Sequence, residues 1–291
     1  MSDFIIMSDS ACDLPQSLIE EYNLEIIPYY VSFDKENYLR ERVDININDF
    51  YKKITAEKIV PKTSLPSVED YCNYFKPYLE KGVDILCFNL SSVFSGSHQS
   101  AVNAANIMLE EYPERKILVI DSTKATVTQG LLVVEAVKMK NNGFSLEEIY
   151  NKIEEIKNEG VIIFTIDSLE YLQKGGRIGK ATALAGSLLN IKPILLLKDG
   201  ELHPHSKVRG RKKSLAEIVK VFEEYAKDNL DGYEVAIGHA NCKEEAMEVE
   251  KMLVEKYNIK LNYPIFEIGI TIGAHTGPTA LGVGFIKKYD A

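Results

Sequence analysis

The chain is built from short apolar runs that alternate with longer amphipathic stretches. The runs are rich in β-branched residues, as in "VDILCF" (83–88), "KILVI" (116–120) and "VIIFTI" (161–166). The stretches between them carry apolar residues at helical spacing, as in "SVEDYCNYFKPYLEKG" (67–82). This alternation predicts an α/β fold with helices packed on sheets of largely parallel strands.

The length of the chain favours two domains over one. A chain of 291 residues is long for a single core, and each half is large enough to bury an interior of its own. The polar stretch "SLEEIYNKIEEIKNEG" ends at Gly160 and is the best candidate for the end of a first domain. We therefore predict an N-terminal α/β domain over 1–160 and a C-terminal α/β domain over 161–291.

The charge balance and the cysteines narrow the class of protein. Forty-three acidic against 34 basic side chains give a formal charge of −9, which disfavours nucleic acid and anionic membrane surfaces as partners. Four widely spaced cysteines indicate reduced thiols rather than disulfides or a metal site. The opening "MSDFIIMSDS" has no basic leader, and no run approaches the roughly 18 apolar residues of a membrane span. We expect a cytoplasmic protein without stable membrane insertion.

A serine-rich turn, "FNLSSVFSGSHQSA" (88–101), joins an apolar run to a helical stretch. It holds five serines and a glycine but no Lys, Arg, Asp or Glu. Free backbone N–H groups at a helix start can hold an anion, and the lack of Lys or Arg favours a carboxylate over a phosphate. The alternative is that Ser91, Ser92 and Ser95 only cap the helix.

Other polar residues stand where strands end. Asp9-Ser10, Asp121-Ser122 and Asp167-Ser168 each follow an apolar run; each suits a capped strand exit, and together they make a ligand crevice plausible. In "PKTSLPS" (61–67), Ser67 suits an N-cap, which leaves Thr63 and Ser64 unexplained.

The C-terminal segment is rich in glycine. Glycines at 269, 273, 277, 282 and 284 alternate with short polar residues, among them His275, Thr276 and Thr279. This pattern suggests a close backbone approach to a ligand or another strand, with a loose turn as the alternative.

Catalytic and metal chemistry have weaker support. His275 as base and Ser95 as nucleophile would make a serine hydrolase or acyl transferase, but Val93 and Ser97 stand where a nucleophile elbow needs glycines. "HPH" (203–205) lacks acidic or cysteine partners and suits an exposed turn. The basic "KVRGRKK" (207–213) suits a solvated loop or an acidic docking partner.

Six motifs taken together resemble the DegV family over essentially the whole chain. They are "SDSACDLP" (8–15), "KTSLPS" (62–67), "LSSVFSGSHQSA" (90–101), "YLQKGGRIG" (171–179), "KPIL" (192–195) and "GAHTGPTALGVGF" (273–285). The resemblance implies a two-domain DegV-like fold: an N-terminal parallel sheet flanked by helices, a second α/β domain, and a ligand between them. It also implies a non-catalytic fatty-acid-binding protein that serves as the lipid-binding subunit of a bacterial fatty acid kinase, with a separate ATP-using subunit, in phospholipid metabolism.

By that resemblance, Thr63 and Ser95 would hold the carboxylate near His275. The expected ligand-binding set is completed by the residues around them, namely Ser64, Ser92, Gly96 and Thr276. The acyl chain, of an acid such as hexadecanoate, would run into the second domain, where "ATALAGSLLNIKPILLL" (181–197) supplies wall. No cofactor, metal or catalytic residue is implied.

A glycine-flanked loop is the expected docking site for the kinase subunit. It lies in "YLQKGGRIG" and carries Lys174 and Arg177. The chain departs from the family pattern at Ser97 and Thr279, both of which keep a short side chain and so bear on ligand selectivity. A carrier of another apolar acid, without a kinase, remains a rival interpretation. The chain length and saturation of the ligand, and the oligomeric state of the protein, depend on packing that one sequence does not determine.

Overall fold

The computed structural model describes residues 3–184, 190–226 and 230–291. The strands are β1 (Phe4–Asp9), β2 (Glu25–Ile27), β3 (Tyr30–Ser32), β4 (Leu39–Arg40), β5 (Lys62–Ser64), β6 (Asp84–Asn89), β7 (Ile117–Asp121), β8 (Val161–Thr165), β9 (Ile191–Lys198), β10 (Glu201–Arg209), β11 (Tyr233–His239), β12 (Phe266–Glu267) and β13 (Leu281–Lys287). The α-helices are α1 (Gln16–Glu21), α2 (Ile47–Glu57), α3 (Val68–Leu79), α4 (Ser97–Glu111), α5 (Thr126–Asn141), α6 (Leu146–Ile156), α7 (Glu170–Gly175), α8 (Arg211–Ala226), α9 (Lys243–Tyr257) and α10 (Ile270–Thr276).

The first sheet has four strands in the order β2-β1-β6-β7, and all of its pairings are parallel. Alternate residues of β1 face opposite layers, as the two-residue period of a strand requires. Ile5 and Met7 pack under α3 and α4, whereas Phe4 and Ile6 pack under α5. The predicted N-terminal parallel sheet flanked by helices is confirmed.

The second sheet has six strands in the order β10-β9-β8-β13-β11-β12. Only β11 and β12 pair in parallel, and the other four pairings are antiparallel. The prediction of largely parallel strands is therefore wrong for this sheet. A tight turn at Asp199-Gly200 turns β9 directly back into β10, so no crossover helix intervenes.

A third, antiparallel sheet orders β4-β3-β5 and lies beside the other two. It places Thr63, on β5, opposite Val31, on β3. Its neighbour α3 begins at a capping box in which the Ser67 hydroxyl accepts from the backbone N–H of Asp70, so the predicted cap at Ser67 is confirmed.

Helix α5 lies between the two larger sheets. Thirteen of its 16 residues are buried, and it packs on β1 on one side and on β11 and β13 on the other. A helix that is apolar on every face must be covered on every face. One hydrophobic core thus joins strands from both sheets, and the boundary predicted at Gly160 falls just before β8; the division into two domains stays a prediction.

The C-terminal glycines allow close approaches. A Cβ at Gly282 would lie 2.6 Å from the Cβ of Phe164 on β8, and one at Gly284 would overlap Val127 of α5. Gly277 has φ 79°, a left-handed value that favours glycine, where α10 ends. The prediction of close backbone approach is confirmed at these positions.

The cysteines and the helices complete the description of the fold. All four cysteines are free, and Cys12 and Cys87 are buried. Among the helices in the described ranges, none has the length and apolar character that crossing a membrane requires.

Candidate functional site

A cavity of about 240 Å³ opens between the sheets. Strands β8, β9 and β10, the first turn of α5, the serine-rich turn, the segment from α7 to Arg177, the small sheet and α10 all contribute to its lining. The apolar residues are Leu65, Leu90, Phe94, Ala125, Val127, Ile162, Phe164, Leu172, Leu197, Leu202, Ile268, Ile272 and Ala280, with the backbone of Gly238 and Gly282. The polar residues are Tyr29, Thr63, Ser64, Ser95, Thr126, Arg177, Thr271, His275 and Thr276. Such a pocket suits a molecule with a long apolar body and one polar end.

Thr63 and His275 meet at the polar lining, with 2.9 Å between Thr63 Oγ1 and His275 Nε2. Burial, and then the positive charges of Arg177 and Lys62, lower the pKa of His275 to about 4, so the imidazole is neutral at neutral pH. We assign its proton to Nε2, because Nδ1 is buried without a hydrogen-bond partner and a proton there would have no acceptor. The imidazole then donates to Thr63, whose own hydrogen is left to donate into the pocket.

Ser95 is held in a similar way. The hydroxyl of Tyr29 donates to Ser95 Oγ at 2.8 Å, and the backbone N–H of Ser97 donates to the same atom at 3.2 Å. Burial and the charge of Asp9 raise the pKa of Tyr29 well above its usual range, so the phenol stays protonated. Both acceptor positions of Ser95 are occupied, and its own hydrogen must therefore donate elsewhere.

Arg177 ties these parts together. Its Nε donates to the carbonyl of Phe94 at 3.2 Å, and its Nη1 donates to the carbonyl of Gly175 at 2.8 Å. Gly175 packs against the ring of His275 so closely that a Cβ there would overlap Nδ1. The loop after α7 thus fixes the serine-rich turn relative to the imidazole. The sequence predicts no cationic side chain at the carboxylate site, whereas Arg177 lines the pocket.

Five of the seven predicted ligand-binding residues line this pocket: Thr63, Ser64, Ser95, His275 and Thr276. The other two lie outside the lining. Ser92 is exposed, with its backbone N–H bonded to Asp121 at 3.2 Å, and Gly96 is the N-cap of α4.

Both predicted docking residues are exposed, but they differ in their bonding and position. Lys174 is exposed and pairs with Glu170 at 2.6 Å, while Arg177 belongs to the pocket wall. Of the stretch 181–197 that was predicted to supply wall, Leu197 lines the pocket, and residues 185–189 lie outside the described residues.

The aspartates that follow three of the strands, Asp9, Asp121 and Asp167, have different hydrogen-bond and ion-pair partners. Asp9 is buried and accepts from the Leu90 N–H, the Ser97 hydroxyl and the Gln129 amide at 2.7–2.8 Å. Its burial raises its pKa to about 6. Asp121 accepts from backbone N–H groups of its own turn and of the serine-rich turn, and Asp167 pairs with Lys192 at 2.6 Å. Asp9 therefore joins β1 to the first residue of α4, directly beside Ser95.

The hydrogen bonds give no support to the hydrolase alternative. Within the described ranges, Nε2 of His275 meets Thr63 and the hydroxyl of Ser95 meets Tyr29 and Ser97. Over the same residues, no group of three His, Cys, Asp or Glu side chains could hold a metal ion.

Sequence reasoning missed Tyr29 and the position of Arg177 on the pocket wall. The only sequence signal for Tyr29 is the apolar run "LEIIPYYVSF" (24–33), in which a phenol needs a hydrogen-bond partner once it is buried.

Comparisons with known proteins extend over the whole chain. The family model described as an uncharacterised protein of the DegV family matches residues 3–288. A DegV domain-containing protein of Clostridium perfringens is 39% identical in an alignment that covers 98% of each chain. A stearic acid-binding protein of Eubacterium ventriosum matches with a TM-score of 0.94 and 39% identity over 99% of both chains. A fatty-acid-binding DegV family protein of Thermus thermophilus matches with a TM-score of 0.88 and 30% identity over 99% of this chain and 100% of its own.

Proposed function

This chain belongs to the DegV family, and on that premise we propose that it binds a long-chain fatty acid. The carboxylate accepts hydrogen bonds from the hydroxyls of Thr63 and Ser95, and the acyl chain occupies the apolar part of the pocket. His275 supports Thr63, and Tyr29 supports Ser95. Ser64 and Thr276 complete the polar lining around them.

One observation carries this proposal: two hydroxyls that line the same largely apolar cavity are left as hydrogen-bond donors. The oxygen of each hydroxyl already accepts hydrogen bonds from neighbours: Thr63 accepts from His275, and Ser95 accepts from Tyr29 and Ser97. An ionised carboxylate only accepts hydrogen bonds, so it matches two donors, and a fatty acid adds the apolar body that the rest of the lining requires.

Burial of the acyl chain supplies most of the affinity. Each buried methylene contributes about 0.8 kcal/mol, so an acid of about sixteen carbons, such as hexadecanoate, gains on the order of 10 kcal/mol before entropic losses. The structural relatives described as binding stearic acid and vaccenic acid support a long-chain ligand. Such a ligand leaves slowly, since nearly all of its apolar surface must return to water.

We further propose that the bound acid is presented to a separate, ATP-using kinase subunit in the cytoplasm. A carboxylate oxygen attacks the terminal phosphorus of ATP, the bond from that phosphorus to the bridging oxygen breaks, and ADP leaves with the electron pair. The acyl phosphate formed is an activated acid for phospholipid metabolism. Thr63 and Ser95 are neutral donors, and Arg177 on the pocket wall already donates to the carbonyls of Phe94 and Gly175, so hydroxyl groups rather than a dedicated ion pair hold the carboxylate for transfer. The exposed Lys174 suits a docking contact.

The experiment that tests fatty acid binding is extraction of the purified protein. The protein is expressed, purified without added lipid and extracted with organic solvent. Mass spectrometry of the extract identifies the lipid, and native mass spectrometry of the intact protein gives the stoichiometry. We expect one long-chain fatty acid per chain. A protein that carries no acid and fails to bind added hexadecanoate after delipidation would contradict the proposal.

A further inference from the structure

Glu41 is a fully buried carboxylate immediately after β4, and it does not line the pocket. Only 1% of its surface is exposed. Its two oxygens accept hydrogen bonds from groups far apart in the chain, separated from it by 31 residues on one side and by 229 and 230 on the other. A buried carboxyl group needs hydrogen-bond partners, and those of Glu41 come from two different parts of the fold.

One set of donors belongs to α10. The backbone N–H groups of Ile270 and Thr271 donate to Oε1, and the hydroxyl of Thr271 donates to Oε2 at 2.7 Å. These are the first residues of the helix, whose end carries His275. Glu41 therefore fixes the start of the helix that aims the imidazole at Thr63.

The other set leads to Ser95. The hydroxyl of Ser10 donates to Oε2 of Glu41 at 2.6 Å and accepts from the backbone N–H of Tyr29 at 3.0 Å. The backbone N–H of Glu41 donates to the carbonyl of Tyr29 at 2.9 Å. Tyr29 is thus held at both its N–H and its carbonyl, and its phenol reaches Ser95.

We propose that Glu41 is the common positioning residue for both carboxylate donors of the site. Through α10 it sets His275 against Thr63, and through Ser10 and Tyr29 it sets the partner of Ser95. The inference rests on the proposed function, since it assigns Thr63 and Ser95 to one ligand head group. A single buried group then controls the spacing of two hydroxyls that come from different parts of the fold.

Asp13 is a second buried carboxyl group, and it lies beside Glu41. A Cβ at Gly269 would overlap both Glu41 Oε1 and Asp13 Oδ1, so the two carboxyls lie close together. The carboxyl oxygens of Asp13 are buried without hydrogen-bond partners, and burial together with the charge of Glu41 raises the pKa of Asp13 well above its usual range. Glu41 accepts four hydrogen bonds, and its charge is one cause of the raised pKa of Asp13.

The test replaces Glu41 with glutamine, which keeps the shape and removes one acceptor oxygen. We expect Glu41→Gln to weaken hexadecanoate binding by about tenfold and to shift the imidazole nitrogen signals of His275 in the NMR spectrum of the lipid-free protein. The matched control is Glu135→Gln, since Glu135 is also buried but serves Lys138 and the N–H of Tyr289, away from the pocket. It should lower thermal stability and leave both readouts unchanged.

Two further variants separate the arms and cover the case in which Glu41→Gln does not fold. Thr271→Val should shift the His275 signals, whereas Ser10→Ala should leave them in place and still weaken binding through Tyr29. The positioning role would be overturned if Glu41→Gln left both the His275 signals and the affinity unchanged. The same result in both Thr271→Val and Ser10→Ala would also overturn it. The His275 signals are read without lipid, so a wild-type protein that binds no acid would refute the proposed function, and the signals of Glu41→Gln would still decide the positioning role.

Discussion

The imidazole of His275 and the hydroxyl of Thr63 form a hydrogen bond of 2.9 Å across 212 residues of chain. Thr63 comes from the small antiparallel sheet, and His275 comes from the end of α10, so neither segment contains the site by itself. The donor role of Thr63 depends on the neutral imidazole behind it.

Removal of either hydroxyl should weaken fatty acid binding. Thr63→Val and Ser95→Ala each delete one donor to a charged acceptor, which corresponds to about ten- to a hundredfold in affinity. Ser95→Ala should also lower the free energy of unfolding by about 1 kcal/mol, because the N–H of Ser97 loses its acceptor. The measurement is titration of delipidated protein with hexadecanoate, alongside thermal unfolding.

The control for these variants is Ser92→Ala. Ser92 belongs to the same turn but is exposed and outside the pocket lining, so neither affinity nor stability should change. Equal affinities in wild type, Thr63→Val and Ser95→Ala, with only the stability of Ser95→Ala reduced, would mean that the serine-rich turn merely caps α4.

His275 should make the folded protein less stable in acid. Its folded pKa of about 4 lies below the ordinary 6.5, so between these values the unfolded chain binds a proton that the folded chain does not. Stability contributed by neutral His275 is complete above pH 6.5 and is lost as the pH falls towards 4, by about 3 kcal/mol in all. His275→Gln should lack this loss. The free energy of unfolding of lipid-free wild type, measured with urea, should therefore fall relative to that of the variant as the pH is lowered from 6.5 to 4.

The exposed His205 of β10 offers the matched control, because His205→Gln removes an imidazole that does not line the pocket. If wild type and His275→Gln lost stability in parallel from pH 6.5 to pH 4, the buried neutral imidazole would be the wrong description of this residue.

Gly175 should be intolerant of a side chain. Gly175→Ala places a methyl group against Nδ1 of His275, so the ring must move away from Thr63. We expect a stability loss of about 1–3 kcal/mol, as for overpacking elsewhere, and about tenfold weaker binding of hexadecanoate. Gly143→Ala is the control: its φ of 84° makes alanine strained there, but no atom lies within 4 Å, so stability should fall without loss of affinity. A Gly175→Ala protein with wild-type affinity would argue against the packed imidazole.

Docking of a kinase subunit should depend on Lys174. Its side chain is 57% exposed and pairs only with Glu170 of its own helix in the described structure, so Lys174→Glu should slow phosphorylation by the cognate kinase and leave the lipid content unchanged. Arg177→Glu should reduce both, because Arg177 also binds the carbonyls of Phe94 and Gly175. Lys251→Glu, an exposed lysine of α9 with a similar partner one turn away, should change neither. Phosphorylation of Lys174→Glu at the wild-type rate would exclude this residue from the docking surface.

Local patterns in the sequence account for the first sheet and for much of the site. Strands such as β6 and β7 are separated by an amphipathic helix, a spacing that parallel pairing requires. The second sheet escaped the same reasoning because its apolar runs are also separated by helical stretches. The dipeptide Asp199-Gly200, with φ values of 53° and 77°, is the hairpin signal that would have identified β9 and β10 as antiparallel neighbours.

The parts of the site that the sequence did not predict are those that act across long distances. Thr63, Ser95 and His275 stand in glycine- and serine-rich segments that draw notice. Tyr29 and Glu41 stand in segments without an unusual sequence pattern. Tyr29 bonds to a residue 66 positions away, and Glu41 bonds to residues up to 230 positions away. No spacing rule within one segment can reveal such a pair, since the fold alone creates it.

Burial of α5 on both sides limits how the molecule can be divided. A chain cut after Gly160 would leave the first fragment with a helix whose outer face, once covered by β11 and β13, meets water, and the second fragment with an uncovered sheet. Fragments of this kind associate or aggregate rather than fold as independent modules. A chimera that exchanges ligand preference between two relatives should therefore take α5 and the strands that it covers from the same parent. The packed interface, rather than a cut point in the chain, determines which segments can be exchanged.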